Sequence, residues 1–332
     1  MKSLFLLLAL ALALTANAAT NYDVRTIALP GGSERGIAMD YLAFDPATKS
    51  LWVPAGNTGA VDVVDTTTGT IRQISGLPTK EIQTGERKRT VGPSSASTGN
   101  KVVYVGNRAD STVCAYDSRS LKLVRCGQLD AMPDAVVFVS PTNEVWTTTP
   151  RDQSIRILDA TTLKEKTKIT FEGAPEGYAV DAKNHLFFTN LEDKDETLAI
   201  DVRTKKTAGR WKSACGEQGP RGLALAPDGT LLFVACTDKV QSFRLGAKPE
   251  LLSGADTGAG VDSIAYSPST HELFAGAART GQLTVIDVDA TGHLTAAAQV
   301  TTAPGARNGV LAGNTIYLAH SQGNELIAVV KK

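Results

Sequence analysis

The chain has 332 residues, with 34 lysines and arginines against 34 aspartates and glutamates. That balance argues against broad electrostatic capture of nucleic acid and leaves only a local basic patch open. Apolar residues make up 42% of the chain, 30 glycines and 14 prolines break it into short runs, and helical spacing is nowhere sustained, so it reads as nearly all β.

At the start, Lys2, the apolar run Leu4 to Leu14, and Ala16-Asn17-Ala18 before Ala19 have the layout of a secretory signal peptide, residues 1–18. The run is too short to span a bilayer as an anchor. No cysteine stands at the cleavage point to carry lipid, and no later stretch could cross a membrane. The expectation is a soluble, monomeric, periplasmic or secreted protein whose mature part, 19–332, is one domain.

An aromatic residue inside an apolar run then recurs as Trp52, Tyr104, Trp146, Phe188, Phe233, Phe274 and Tyr317, in steps of 52, 42, 42, 45, 41 and 43 residues. A repeat of this length built from short strands predicts propeller blades. In the sixth repeat, Ser263 to Tyr266, Glu272 to Ala275 and Leu283 to Ile286 are β-favouring runs separated by turn residues, which reads as antiparallel strands joined by tight turns. In the second, Leu121 to Val124 supplies a fourth strand. An aspartate follows the third strand at Asp65, Asp117, Asp159, Asp201 and Asp287, placed to accept backbone N–H groups of the next turn. The seventh repeat offers only three strands before Lys332, while Asp23 to Leu29 alternates and belongs to no repeat. An open edge invites mispairing. The prediction is therefore a seven-bladed β-propeller of four-stranded antiparallel blades, its last blade closed by the N-terminal strand.

Four cysteines in an exported chain point to disulfides, with three pairings open. Cys114 and Cys126 stand symmetrically about the turn Asp117 to Ser120, and Cys215 leads into the repeat whose second strand ends at Cys236; 114–126 and 215–236 are the expected pairs. No CxxC spacing suggests a thiol metal site. The one basic cluster, Arg87-Lys88-Arg89, lies in the over-long segment Pro78 to Gly92 and reads as a solvated loop.

The working face follows from register. First strands begin and second strands end on one rim, and twelve residues before the repeating aromatic stand Asp40, Asp134, Glu176, Arg221 and Asp262, with Arg307 equivalent in the seventh repeat. The second repeat has Gly92 there, so its first strand starts within Arg89 to Ser94. Second-strand ends add Asn57, Asn107, Arg108, Arg151, Asn190, Arg279 and His320. A ring of convergent polar groups suits a small polar ligand. The alternative is that the carboxylates simply pair with Arg221, Arg307 and backbone N–H groups. His185, His271 and His293 fall in turns; His320 alone is placed as a ligand contact or proton carrier.

The run Val103-Tyr104-Val105-Gly106-Asn107 resembles the signature of the YVTN-type β-propeller repeat family, with weaker echoes at Phe187 to Asn190 and Leu232 to Ala235. The whole mature chain is similar to exported YncE-like bacterial propellers. Pro54 in the first repeat and Ala275-Gly276-Ala277 in the sixth depart from the pattern. The wider resemblance takes in lactonases of the gluconolactonase type, quinoprotein-like propellers and binding scaffolds, so it implies a shape more than an activity.

Three functional readings follow. The first is a non-catalytic propeller binding a small polar ligand or a protein partner at the axial mouth. The second is a metal-dependent lactonase-type hydrolase, in which Asp40, Asp134, Glu176 and Asp262 would hold a calcium-like divalent cation; Arg221 and Arg307 would oppose it. The third, implied by the YncE-like resemblance, is single-stranded DNA binding through Arg87 to Arg89, which the neutral charge disfavours.

Overall fold

A computed structural model describes residues 21–332, without the side chains of Thr84 and Arg87. Seven four-stranded antiparallel sheets succeed one another along it, with one extra two-stranded hairpin. Blade six shows the repeat: Val261–Ser267, Glu272–Ala277, Gln282–Val288 and Leu294–Thr301 run from the axis outward. The predicted fourth strand of blade two sits slightly later, at Leu123–Gln128.

Each blade is too thin to bury its own faces, so the core lies between blades, in seven clusters that take one blade pair each. Trp52 packs with Val103 and Val105 between blades one and two, Tyr104 with Val136 and Val145 between two and three, and Trp146 with Phe187 and Ile200 between three and four. Phe188, Phe233, Phe274 and Tyr317 serve the four remaining interfaces. The sequence repeat is thus one large side chain per interface. The last of these clusters joins blade seven to blade one and closes the ring: Tyr317, Ala319 and Leu326 pack with Ile37, Leu51 and Val53.

Closure is made by the N-terminal strand, as expected. Tyr22–Ala28 pairs antiparallel with Glu325–Lys331, Val24 opposite Val329, and becomes the outer strand of blade seven. Strand edges that would otherwise stay open are satisfied by backbone from the far end of the chain.

Turn chemistry repeats with the blades. Asp65 accepts from the backbone N–H groups of Thr67 and Thr68 at 2.8 and 2.9 Å, and Asp117, Asp159 and Asp201 cap their turns in the same way. These bonds to the charged form hold the four carboxyls below their usual range. Blade six departs from the expectation at Asp287, which lies inside a third strand extended to Val288. The capping role passes to Asp289, which accepts from Thr291 N–H at 2.8 Å and His293 N–H at 2.9 Å. His185 and His271 occupy left-handed turn positions at φ 58° and 54°.

Both disulfides join the expected cysteines. Cys114 and Cys126 are direct cross-strand partners; Cys215 and Cys236 tie the approach to blade five to the end of its second strand. Two such bonds fit an oxidising compartment. The segment Pro78 to Gly92 is not the irregular loop its composition suggests: Lys80–Thr84 and Arg87–Val91 pair as an inserted hairpin. Among the described residues no helix is long and apolar enough to cross a membrane. The leader-like residues 1–18 lie outside the described residues.

Candidate functional site at the axis

The rim position read from the twelve-residue interval converges on one cavity. Asp40, Asp134, Glu176, Arg221, Asp262 and Arg307 all line an axial space of about 290 Å³, joined by Arg89, Arg108 and Arg151 and by Met132, Pro133 and Pro150. Local backbone aims these side chains inward. The first strands of blades four to seven carry a register break at this point, between Glu176 and Ala179, Pro220 and Leu223, Val261 and Ile264, and Arg307 and Val310. A bulge turns a strand end out of the ladder and redirects its side chain. In blade four the bulge needs Gly177, at φ +64°, where a Cβ would stand 2.5 Å from the Arg221 carbonyl oxygen.

The charges are paired, though not as the sequence suggests. Arg108, from the end of blade two's second strand, lies between Asp40 at 2.7 Å and Asp134. Its side chain is 15% exposed. Burial alone would weaken its hold on the proton, but Asp134 and Asp40 more than reverse this, so it stays charged. Blade two offers Gly92 and Ser94 where other blades offer a charged first-strand residue, and Arg108 fills that gap from the side, its N–H bonded to Gly92 O at 2.9 Å. Asp40 also accepts from Asn308 Nδ2 of blade seven at 3.0 Å. Even so, burial, with the nearby Asp134 and Asp262, pushes its carboxyl above the usual range.

Arg307 pairs with Asp262 at 3.2 Å. Arg221, in contrast, turns to Glu192 in the turn after blade four's second strand, so it bridges none of the four axial carboxylates. Glu176 takes its hydrogen bond from the Tyr41 hydroxyl at 2.6 Å. Burial first, then the charges of Asp134, Asp40 and Asp262, raise its pKa well above that of a free carboxyl. Tyr41 and Tyr178 stack with ring centroids 6.1 Å apart, and the stack continues through Phe187 to Trp146. Beneath them a smaller chamber of about 150 Å³ lies between the first strands.

The remaining rim residues do other things. Asn107 donates to Pro78 O and accepts from Ala109 N–H, tying the inserted hairpin to blade two. Asn190 donates to Arg221 O and accepts from the Thr197 hydroxyl; Asn57 accepts from Ala38 N–H and donates to Gly36 O. These amides spend both ends on backbone and neighbouring side chains, which fixes where first strands begin. Arg279 is exposed and lies against Gly260, outside the cavity lining. His320 is turned to Glu325, its register partner, with Nδ1 3.0 Å from the carboxylate. Sequence reasoning reached Arg89 only as one end of the range in which blade two's first strand starts, and it left out Tyr41 together with the cavity-lining Met132, Pro133 and Pro150. Arg89 stands in the composition-poor hairpin segment; Tyr41 follows Asp40 directly, and only the fold shows that it crosses the axis.

For a divalent cation the donor set is a poor fit. Among the described residues no three of His, Cys, Asp and Glu converge as a coordinating group, and the guanidinium of Arg108 lies between the two carboxylates best placed to chelate. No protein-family profile matches the chain, and no curated protein does either. Among solved structures, a chain of "Crystal Structure of Mitotic Checkpoint Complex" aligns over 99% of this chain and 97% of its own with a TM-score of 0.75 at 14% identity. A chain of "Kuenenia stuttgartiensis Hydrazine Synthase" aligns over 91% and 97% with a TM-score of 0.72 at 13% identity. At such identities the likeness establishes the propeller fold, and the fold is compatible with binding of many kinds.

Proposed function

We propose that this protein is an exported propeller of the periplasm or extracellular space that binds a small polar ligand at the axial cavity and performs no covalent chemistry there. Its kinship with YVTN-type propellers is part of the proposal and rests on Val103 to Asn107. The observation that carries the reading is the Arg108 clamp on Asp40 and Asp134. It holds the wall charges in fixed pairs around a space of about 290 Å³, and preorganised polar walls around a small concavity are how such sites gain orientation and specificity. Export is supported by the leader-like N-terminus together with two disulfides.

The hydrolase reading draws less support, because Arg108 stands where a cation would have to sit. The DNA reading lacks an open stacking platform: among the described residues no aromatic side chain lines the groove beside the inserted hairpin, and at the axis Tyr41 is already stacked on Tyr178 and bonded to Glu176. A protein partner at the same mouth would have to insert a side chain into the same charged walls.

The test is a thermal-shift titration of the full-length protein, after export, with anionic, neutral and cationic small solutes, repeated on Met132→Trp, which fills the mouth. At least one class should raise the melting temperature of the parent and fail to raise that of the filled variant. If no class does so, or the variant responds like the parent, the axis is not a ligand site.

A further inference from the structure

The four carboxylates of the axial cavity each already have a partner: Arg108 serves two, Arg307 one, and the Tyr41 hydroxyl the fourth. Two of the lining cations do not. Arg89, from the inserted hairpin, and Arg151, from the turn after blade three's second strand, face the same space. No ion pair joins either to a carboxylate among the described residues, while the neighbouring arginines Arg108, Arg221 and Arg307 all have one. Partial burial and the like charges of Arg108 and Arg151 work against the proton on Arg89, and Asp40 and Asp134 offset them only in part, so cations are crowded at this point.

The cavity does not end there. Under the inserted hairpin it continues into a groove of about 390 Å³ that shares Asp40, Arg89, Arg108 and Arg307 with it. The groove adds Arg35 and Lys88, and Asp40, already held by Arg108, is the only carboxylate among its described residues. The wall is therefore net positive from the axis out to the rim, in a chain whose overall charge is zero. Concave walls of one sign focus the field and raise the local concentration of the opposite charge. Guanidinium forks match carboxylate and phosphate oxygens in geometry as well as charge.

We propose that the cavity and groove together bind a small organic anion, its acidic group held by Arg89 and Arg151 and its body lying in the groove toward Arg35. The assignment rests on the reading of the axis as a ligand site and narrows it to one chemical class. A polymer of nucleotides is disfavoured by the same lack of an open aromatic platform among the described residues, and a cation by the arginines themselves.

Calorimetric titration at low ionic strength tests this with three probes: citrate, glucose 6-phosphate and glucose. Citrate or glucose 6-phosphate should bind and glucose should not; citrate alone would identify the acidic group as carboxylate, glucose 6-phosphate alone as phosphate. Arg89→Ala and Arg151→Ala should each weaken the anion roughly tenfold or more, the usual effect of losing one charge-assisted hydrogen bond. Neither residue is buried in the core and neither makes an ion pair among the described residues, so the variants should fold like the parent. Arg279→Ala removes a rim arginine outside the lining and should leave affinity unchanged. Equal weakening by Arg279→Ala would reduce the effect to general surface charge and overturn the assignment. Binding of glucose, or of spermidine added as a cationic control, without either anion would overturn the anion while leaving the ligand site standing. Failure of all four solutes, combined with a flat thermal-shift response, would remove the site as well.

Discussion

Tyr41 of blade one reaches across the axis and donates its hydroxyl hydrogen to Glu176 of blade four at 2.6 Å. The pair closes the floor of the cavity and, through the stack on Tyr178, ties the axis to the packed interface of blades three and four. A buried acidic group with a single donor is sensitive to losing it. Tyr41→Phe should therefore destabilise the protein by about 1–3 kcal/mol, whereas Glu176→Gln, which keeps an acceptor and stays neutral, should cost much less. Urea unfolding of the two variants measures the contrast; equal losses would mean that the hydrogen bond is not what holds the floor.

Arg108 should be the most sensitive residue of the rim. Its removal leaves the mostly buried Asp40 and Asp134 without their shared cation, and breaking a buried charge pair by deleting one partner costs about 3–5 kcal/mol. For Arg108→Met the loss should be greatest at neutral pH and smaller under mild acid, because Asp40 already takes up a proton more readily than a free carboxyl. Unfolding at pH values on either side of the ordinary histidine range gives the comparison, and a loss that does not vary with pH would place the damage in packing instead.

Much of this was legible in the chain before any fold was known. Trp52, Phe188 and their five equivalents recur because each blade interface needs one large side chain, so periodicity of packing appears directly as periodicity of sequence. The same register put Asp40, Asp134, Glu176, Arg221, Asp262 and Arg307 around one opening. Their partners were not legible, because pairing depends on distances across the ring between residues far apart in sequence. Arg108 and Asp40 are separated by 68 positions, Tyr41 and Glu176 by 135. Arg221 was expected to face an axial carboxylate, yet Glu192 at the end of the adjacent strand is nearer, and a local partner wins. The inserted hairpin was hidden for another reason: Lys80 to Val91 is too polar to show strand alternation.

Removing the N-terminal strand should be severe. Deleting residues 21–28 strips the outer strand from blade seven and exposes the backbone of Glu325–Lys331 along its length. An unpaired edge of that kind aggregates. Soluble yield and melting temperature should both fall sharply; a truncated protein melting like the parent would mean that ring closure does not depend on this strand.

Each disulfide should contribute separately. The loops closed by Cys114–Cys126 and Cys215–Cys236 span 12 and 21 residues, so the chain-entropy effect of each is about 2–4 kcal/mol. Cys114→Ser with Cys126→Ser should lower stability by that order, and the Cys215 and Cys236 double variant by slightly more. Peptide mapping without reductant checks the pairing itself: any fragment joining Cys126 to Cys215 would contradict it.

Asp62 gives the clearest pH signature. It lies on the third strand of blade one with no solvent exposure. Gln73 donates to one carboxylate oxygen at 2.8 Å, and the other has no hydrogen-bond partner among the described residues. Burial raises its pKa from 3.8 to about 6, against the opposing effect of Gln73. Between those two values the folded protein holds a proton that the unfolded chain has released, so stability should rise as pH falls from about 7 toward about 4. Glu176 and Asp40 shift the same way and add to the slope. Glu144 works in the opposite sense: burial would raise its pKa, but Lys166 and Lys205 hold it at about 2 against a usual 4.5, so its contribution is lost as pH falls from about 4.5 toward about 2 and opposes the rise only at the acid end. Asp62→Asn keeps the bond from Gln73 and removes the buried charge. It should stabilise the protein at neutral pH by no more than about 3 kcal/mol, the value of the shift at ~1.4 kcal/mol per unit, and flatten the rise on acidification. Melting curves of parent and variant at several pH values decide the matter. A variant less stable than the parent at neutral pH, with the slope unchanged, would mean that the Asp62 carboxylate is satisfied by a partner and takes up no proton across this range.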